Sequence, residues 1–126
     1  MAQTDDFVNI GASCEYNQYG RDEAITLGTS FANILEIDCK KLRSVTVNIQ
    51  IVGGAIDGDY IVYGTTKRNP TMTVTEDEWA IVKASTALTR DVTTIDTFTG
   101  NYTKLIVQAK GDSGTPAAKA WYKGKN

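Results

Sequence analysis

The sequence contains no histidine, and only two cysteines and two prolines. The chain therefore lacks the side chain most often used for proton transfer near neutral pH, which is also the commonest metal ligand. Ser-His and Cys-His nucleophilic pairs are excluded, and two cysteines alone do not complete a usual zinc site. No apolar run approaches the roughly 20 residues of a membrane-spanning helix. We expect neither enzyme activity, nor a cofactor, nor a membrane partner.

Threonine, valine and isoleucine are abundant and together make up more than a quarter of the chain. Their branched side chains fit the pleated, half-buried surface of a β-sheet. A chain of 126 residues forms one domain that buries roughly two thirds of its unfolded surface. We expect a single β domain over residues 7–126, preceded by a flexible arm at residues 1–6.

The net charge of −2 is unevenly distributed, because residues 100–126 carry five lysines and one acid, Asp112. Arginines and stacking aromatics are not interleaved with these lysines, so nucleic acid is not expected as a partner. Lysines of this kind are typical of a guarded strand edge. The polar, acidic start at residues 1–6 does not resemble a secretory signal, so we expect synthesis in the cytoplasm. Cys14 and Cys39 should be reduced there, although a disulfide between them stays possible.

Apolar and polar residues alternate in several segments, most clearly in residues 44–52, which predict a half-buried strand. Further strands are predicted at residues 32–39, 60–65, 93–98, 102–110 and 118–123, with shorter candidates at 7–10 and 23–27. Residues 75–78 match a helix-capping box, so residues 79–84 are either helical or a strand, and the β-rich surroundings favour the strand. The resulting eight or nine strands predict an all-β fold, a single antiparallel β-sandwich of the jelly-roll or Ig-like type.

Two groups of residues are candidates for binding. Asp57 and Asp59 flank a glycine and offer hard oxygens to a calcium ion, although a hairpin turn explains the same motif and is preferred. Four aromatic residues are candidates for a glycan-binding platform or for a subunit interface: Trp79, Tyr102, Trp121 and Tyr122. Neighbours in a strand face opposite sides, so only one of Trp121 and Tyr122 lies in the core. We expect that residue to be Trp121, with Tyr122 at a rim or a subunit contact.

The order of these segments over residues 31–124 resembles the small β-sandwich virion proteins of tailed bacteriophages. The resemblance rests on the alternating or turn-bounded residues 45–51, 60–66, 78–82, 101–111 and 118–124. It implies a capsid decoration protein that binds the capsid lattice in the virion as a homo-oligomer, with a trimer as the expected form. A tail or baseplate accessory domain is the alternative within this class, and a carbohydrate-binding module is the alternative outside it. The resemblance carries over no catalytic or ligand-binding residue.

Overall fold

The computed structural model describes residues 19–53 and 55–125, with side chains described from residue 24 onward. Eight strands are present in these ranges and no helix. The predicted arm at residues 1–6 and the predicted strand at residues 7–10 lie outside the described residues. The strands are β1 (Tyr19–Thr26), β2 (Ala32–Asp38), β3 (Ser44–Val52), β4 (Gly58–Thr65), β5 (Ala80–Leu88), β6 (Thr94–Thr99), β7 (Lys104–Gly111) and β8 (Ala117–Lys125).

The eight strands form two antiparallel four-stranded sheets that pack face to face. Sheet B has the order β1-β8-β3-β6, and sheet C has the order β2-β7-β4-β5. Strand β1 pairs with β8, β2 with β7, β3 with β6 and β4 with β5. This nesting of first with last is what results when one long hairpin is rolled around a core. The fold is therefore the jelly-roll form of the predicted all-β sandwich.

The core lies between the two sheets and follows the predicted alternation. Along β3, the side chains of Val45, Val47, Ile49 and Ile51 are buried, and the polar residues between them are partly exposed. Strand β7 contributes Leu105, Val107 and Ala109 from the opposite sheet. Because buried aliphatic surface stabilises the fold by about 25 cal/mol per Å², this two-layer core accounts for most of the driving force.

The ambiguous segment after residue 75 is a strand, as favoured by the sequence. Residues 76–78 form a single turn, in which the Trp79 N–H donates to the Thr75 carbonyl oxygen at 3.0 Å, and β5 begins at Ala80. The prediction of a hairpin turn at residues 57–59 is wrong, because β3 and β4, the strands before and after it, lie in different sheets and do not pair with each other. Gly58 and Asp59 belong to β4, and Gly58 pairs with Gly111 of β7. A Cβ at Gly58 would collide with the Lys110 carbonyl oxygen, so only glycine allows the two backbones to approach here.

The outer face of sheet C is covered by the segment that joins β4 to β5, residues 66–79, which we call the strap. The chain leaves β4, crosses the sheet to β2, where the Asn33 side chain donates to the Met72 carbonyl oxygen at 3.3 Å, and returns to β5. Under this cover Ile61 and Ile106 are 6% and 0% exposed, although both point away from the main core. The strap therefore builds a second, smaller apolar layer. Within the described residues, no helix is long and apolar enough to cross a membrane.

Candidate interaction surface

Three large aliphatic side chains are exposed in the described part of the chain, and all lie in one stretch of sequence, from β5 to β6. Ile81 of β5 is 58% exposed, Val92 in the connecting loop 53%, and Ile95 of β6 65%. Strands β5 and β6 are edge strands, one in each sheet, and they flank the same open side of the sandwich. We call this region the β5–β6 side. Exposed apolar residues mark a surface that meets another protein when they join into a continuous patch.

The backbone of β6 presents hydrogen-bonding groups along this side. Among the described strands, β6 pairs only with β3, and the Gly100 N–H donates to the Arg43 carbonyl oxygen at 3.1 Å at the end of the ladder. Residues of an antiparallel strand direct their backbone groups alternately towards one neighbour and away from it. Because Gly100 bonds to β3, the even-numbered residues of β6 also direct their backbone groups towards β3. Ile95, Thr97 and Thr99 therefore direct their backbone N–H and C=O groups away from β3, towards the open edge.

A polar cluster closes the gap between β5 and β6, and Asp96 is at its centre. One oxygen of Asp96, Oδ2, accepts the Tyr60 hydroxyl at 2.8 Å and lies 3.4 Å from Lys83 Nζ on the opposite sheet. The other, Oδ1, accepts the backbone N–H of Thr97 at 3.0 Å. Burial raises the pKa of Tyr60, and the hydrogen bond and negative charge of Asp96 raise it further. The Asp96 carboxylate thus binds side chains of the opposite sheet and also accepts a hydrogen bond from one backbone N–H of β6 that faces the open edge.

The outer face of sheet B is a second exposed surface. The residues on it differ from the prediction for Trp121 and Tyr122. Ala118 and Ala120 of β8 are buried, so the inward set consists of the even-numbered residues, and Trp121 lies on the outer face beside Asn48 of β3. Tyr122 packs partly against the core. The prediction that Trp121 packs inside and Tyr122 at the rim is therefore wrong. Small alanines, rather than the indole, face the opposite sheet.

The other two aromatic candidates lie elsewhere, at the strap. Trp79 and Tyr102 both line a cleft of about 420 Å³ between the strap and the end of β4. Trp79 is only 5% exposed, and its indole N–H donates to the Thr71 carbonyl oxygen at 2.8 Å. The cleft wall holds an ion pair between Lys67 and Glu78 at 2.7 Å, whose hydrogen bond lowers the pKa of Glu78. The four aromatic residues therefore do not form one flat platform.

The predicted calcium ligands lie at a corner where the loops before β4 and after β7 meet. The Asp112 N–H donates to the Asp57 carbonyl oxygen at 2.9 Å, and burial together with a hydrogen bond to Asp59 raises the pKa of Asp112. Asp57 Oδ1 accepts the backbone N–H of Arg90 at 2.9 Å. Over the described residues, no group of three or more Asp, Glu or Cys side chains is arranged to hold a metal ion. Calcium binding by Asp57 and Asp59 stays a prediction.

Cys39 is buried at the end of β2. Its side chain is 3% exposed, and Sγ contacts the Ile37 carbonyl oxygen at 3.6 Å. Burial, with the negative charge of Asp38, raises the pKa of the thiol to about 12. Cys39 is a free thiol within the described residues, and Cys14 lies outside them. A neutral, covered thiol of this kind reacts slowly with disulfides and alkylating reagents.

Sequence reasoning missed Asp96, Tyr60 and Lys83 as members of one cluster. The available signal was an acid at an inward position of β6, between Thr94 and Phe98, where alternation calls for an apolar residue. The partners of such an acid come from other strands, so local periodicity does not identify them.

Comparison with known proteins gives the fold and no family. No protein-family model matches the sequence, and no curated protein sequence is significantly similar to it. The pilus protein of Bacillus endospore appendages, a family of disulfide-linked pili, has 11% identity and a TM-score of 0.57, over 95% of this chain and 93% of that one. Tripeptidyl peptidase 2 matches with 8% identity and a TM-score of 0.58, over 93% of this chain but only 10% of the peptidase.

A protein from the structure of infectious bursal disease virus, Gx strain, has 11% identity and a TM-score of 0.45, over 90% of this chain and 32% of that one. At identities of 8–11%, the two likenesses with TM-scores above 0.5 show a shared β-sandwich architecture and do not carry function with them. The same fold serves unrelated functions in different proteins, so function has to be argued from the surfaces.

Proposed function

We propose that this protein is a non-enzymatic structural subunit that assembles with copies of itself, and that it decorates the capsid lattice of a virus particle. The observation that carries the proposal is the exposure of Ile81, Val92 and Ile95 along the β5–β6 side. Leaving apolar surface in water costs about 25 cal/mol per Å², and contact with another protein surface removes that cost. A stiff sandwich with exposed apolar residues on both edge strands of one side is suited to docking.

The first part of the proposal, self-assembly, is tested by mass in solution. Sedimentation velocity over a concentration series should show the wild-type protein forming homo-oligomers whose mass rises with concentration. A triple variant, I81S/V92S/I95S, should shift the mass towards the monomer. The control variant T26S/A32S changes exposed positions on β1 and β2, the opposite edge strands, and should leave the mass unchanged. A wild-type protein that stays monomeric at every concentration would contradict self-assembly.

The second part, the location on a capsid, rests on the sequence resemblance to bacteriophage virion proteins. Immunogold labelling of virus particles from cells that express the gene should place the protein evenly over the capsid shell. Labelling confined to the tail or baseplate would favour the accessory-domain alternative. The proposed location is therefore the virion, after synthesis in the host cytoplasm.

A filament subunit is a second candidate, favoured by the nearly full-length structural match to the endospore appendage protein. That protein forms disulfide-linked pili, and Cys39 is poorly suited to such a link, since it is 3% exposed and has a pKa of about 12. A disulfide between copies would have to use Cys14. Electron microscopy of concentrated, oxidised protein distinguishes the candidates, because only a filament subunit should form long fibres.

A carbohydrate-binding module has less support. The side chain of Trp79 is buried, and Trp121 faces a different surface from the cleft that Trp79 and Tyr102 line. A glycan array with several strong hits, lost on Tyr102→Ala, would reverse this preference.

A further inference from the structure

Strand β6 is the most regular of the four edge strands. The pairings of β1, β2 and β5 with their neighbours each contain at least one register shift, whereas β6 pairs with β3 over six residues without a shift. The sequence of β6, Thr94–Thr99, contains no lysine and no proline. Bulges, lysines and prolines are the usual devices that prevent a strand edge from pairing with another chain. Strand β6 lacks all three and carries the exposed Ile95.

The pattern along β6 selects one way for two copies to pair. The edge-facing residues are Ile95, Thr97 and Thr99, and in an antiparallel pair they must face one another. A two-fold axis at Thr97 places Thr97 opposite its own copy and Ile95 opposite Thr99, so that all three residues take part and six backbone hydrogen bonds form. An axis at Asp96 gives four bonds and sets two carboxylates against each other, which is unfavourable. An axis at Phe98 also gives only four backbone hydrogen bonds.

Asp96 acts on the central residue of this pairing. Its Oδ1 holds the Thr97 N–H at 3.0 Å, and that amide would donate to the second copy in the favoured register. Tyr60 and Lys83 hold the same carboxylate through Oδ2. An inward-pointing charge is a known protection of strand edges. Pairing therefore requires the carboxylate to release the Thr97 amide.

We infer that β6 is a self-pairing strand that joins two copies of this chain in antiparallel register about Thr97, and that Asp96 opposes the contact by holding the Thr97 amide. The inference rests on the proposed function, since it specifies the contact by which the subunits associate. It adds which strand forms the contact between copies, in which register the two strands pair, and which residue weakens the contact.

Proline at position 97 tests whether the edge of β6 forms the contact between two copies. Thr97→Pro removes an amide that faces the open edge, so the ladder with β3 keeps all its bonds while the central bonds between copies are lost. We expect the dissociation constant of the dimer to rise at least tenfold. The control Thr97→Val keeps the amide and a β-branched side chain, and should associate like the wild type. Circular dichroism and thermal unfolding of both variants show whether the fold is kept.

Cysteine at the same position tests the register and does not depend on the proline variant. Opposed residues in a hydrogen-bonded antiparallel pair have Cα atoms about 5.5 Å apart, which is within the range that a disulfide spans. In a Cys14→Ser background, Thr97→Cys should form a disulfide-linked dimer on mild oxidation. Thr46→Cys, on the adjacent strand of the same face, should not. Equal rates for the two variants, or no dimer from either, would overturn the register.

Asp96→Asn tests whether Asp96 opposes the contact between copies. The amide oxygen accepts hydrogen bonds less strongly than a carboxylate does, so the Thr97 N–H is released more easily. We expect the dissociation constant to fall about five- to tenfold. An unchanged or higher constant would overturn the role of Asp96. If the wild type associates and Thr97→Pro leaves its affinity unchanged, the β6 contact is wrong and the structural-subunit proposal stands. If the wild type and every variant stay monomeric, the β6 contact and the structural-subunit proposal both fail.

Discussion

Replacing Ile106 with alanine tests the strap, the feature that sequence periodicity misses most clearly. By alternation along β7, Ile106 lies on the face opposite the core, where an isoleucine would be exposed. In the structure it is 0% exposed, because the strap covers it. The substitution removes three carbons, which corresponds to about 2.4 kcal/mol at about 0.8 kcal/mol per buried CH₂. A cavity closed on both sides adds to this, so we expect Ile106→Ala to lower the free energy of unfolding by roughly 3–4 kcal/mol.

Ile95→Ala is the matched control, since it is the same substitution on the outer face of the other sheet. Ile95 is 65% exposed, so the expected loss in the monomer is below about 1 kcal/mol. Both values come from urea unfolding followed by tryptophan fluorescence, at a concentration where the protein is monomeric. Similar small losses for both variants would show that the strap does not cover sheet C, and the second apolar layer would have to be abandoned.

Three further predictions concern buried groups. Tyr60→Phe removes the hydroxyl that donates to Asp96 and should lower the free energy of unfolding by about 1.5–3 kcal/mol in chemical denaturation. The raised pKa of Tyr60 means that its contribution to stability is complete below pH 10, the value for an exposed tyrosine, and declines above it, so the variant should lose less stability between pH 10 and 11. In a Cys14→Ser background, Cys39 should react with a thiol reagent at least 100-fold more slowly in the native protein than in urea, and equal rates would contradict its burial. Gly58→Ala should reduce the melting temperature by more than 5 °C, because its Cβ meets a backbone carbonyl that is unable to move aside; an unchanged value in a thermal melt would refute that contact.

Much of the fold follows from local alternation, because each strand buries one face. Strand β3 has the bounds that the sequence predicts, residues 44–52, and the helix-or-strand ambiguity at residues 79–84 is resolved in favour of β5. The choice between jelly roll and Ig-like sandwich depends on which strands pair over long distances. Local patterns do not contain that information, and the nesting of β1 with β8 settles it.

The orientation of β8 is wrong in the prediction for a physical reason. Size suggests that Trp121 fills the core, but β8 is a central strand of sheet B, and the inward positions are taken by Ala118 and Ala120. At Gly124, a Cβ would collide with the Leu42 side chain, so a large residue from the loop before β3 fills the space there. Small inward residues on one strand are matched to large ones on others, and this complementarity is not visible within the strand itself.

The candidate surface was less predictable than the fold. The exposure of Ile81, Val92 and Ile95 depends on β5 and β6 being the edge strands of their sheets, which is a property of the topology. The role of Asp96 depends on Tyr60 and Lys83, which reach it from sheet C. Each of these residues is ordinary in its own segment, and only the pairing of the strands brings them together.

Sedimentation equilibrium of the wild-type protein beside the I81S/V92S/I95S variant tests the central claim most directly. The account predicts a mass above that of one chain for the wild type, and a mass close to 13.7 kDa for the variant under the same conditions. A wild-type protein with the mass of a single chain from micromolar to millimolar concentration would contradict it.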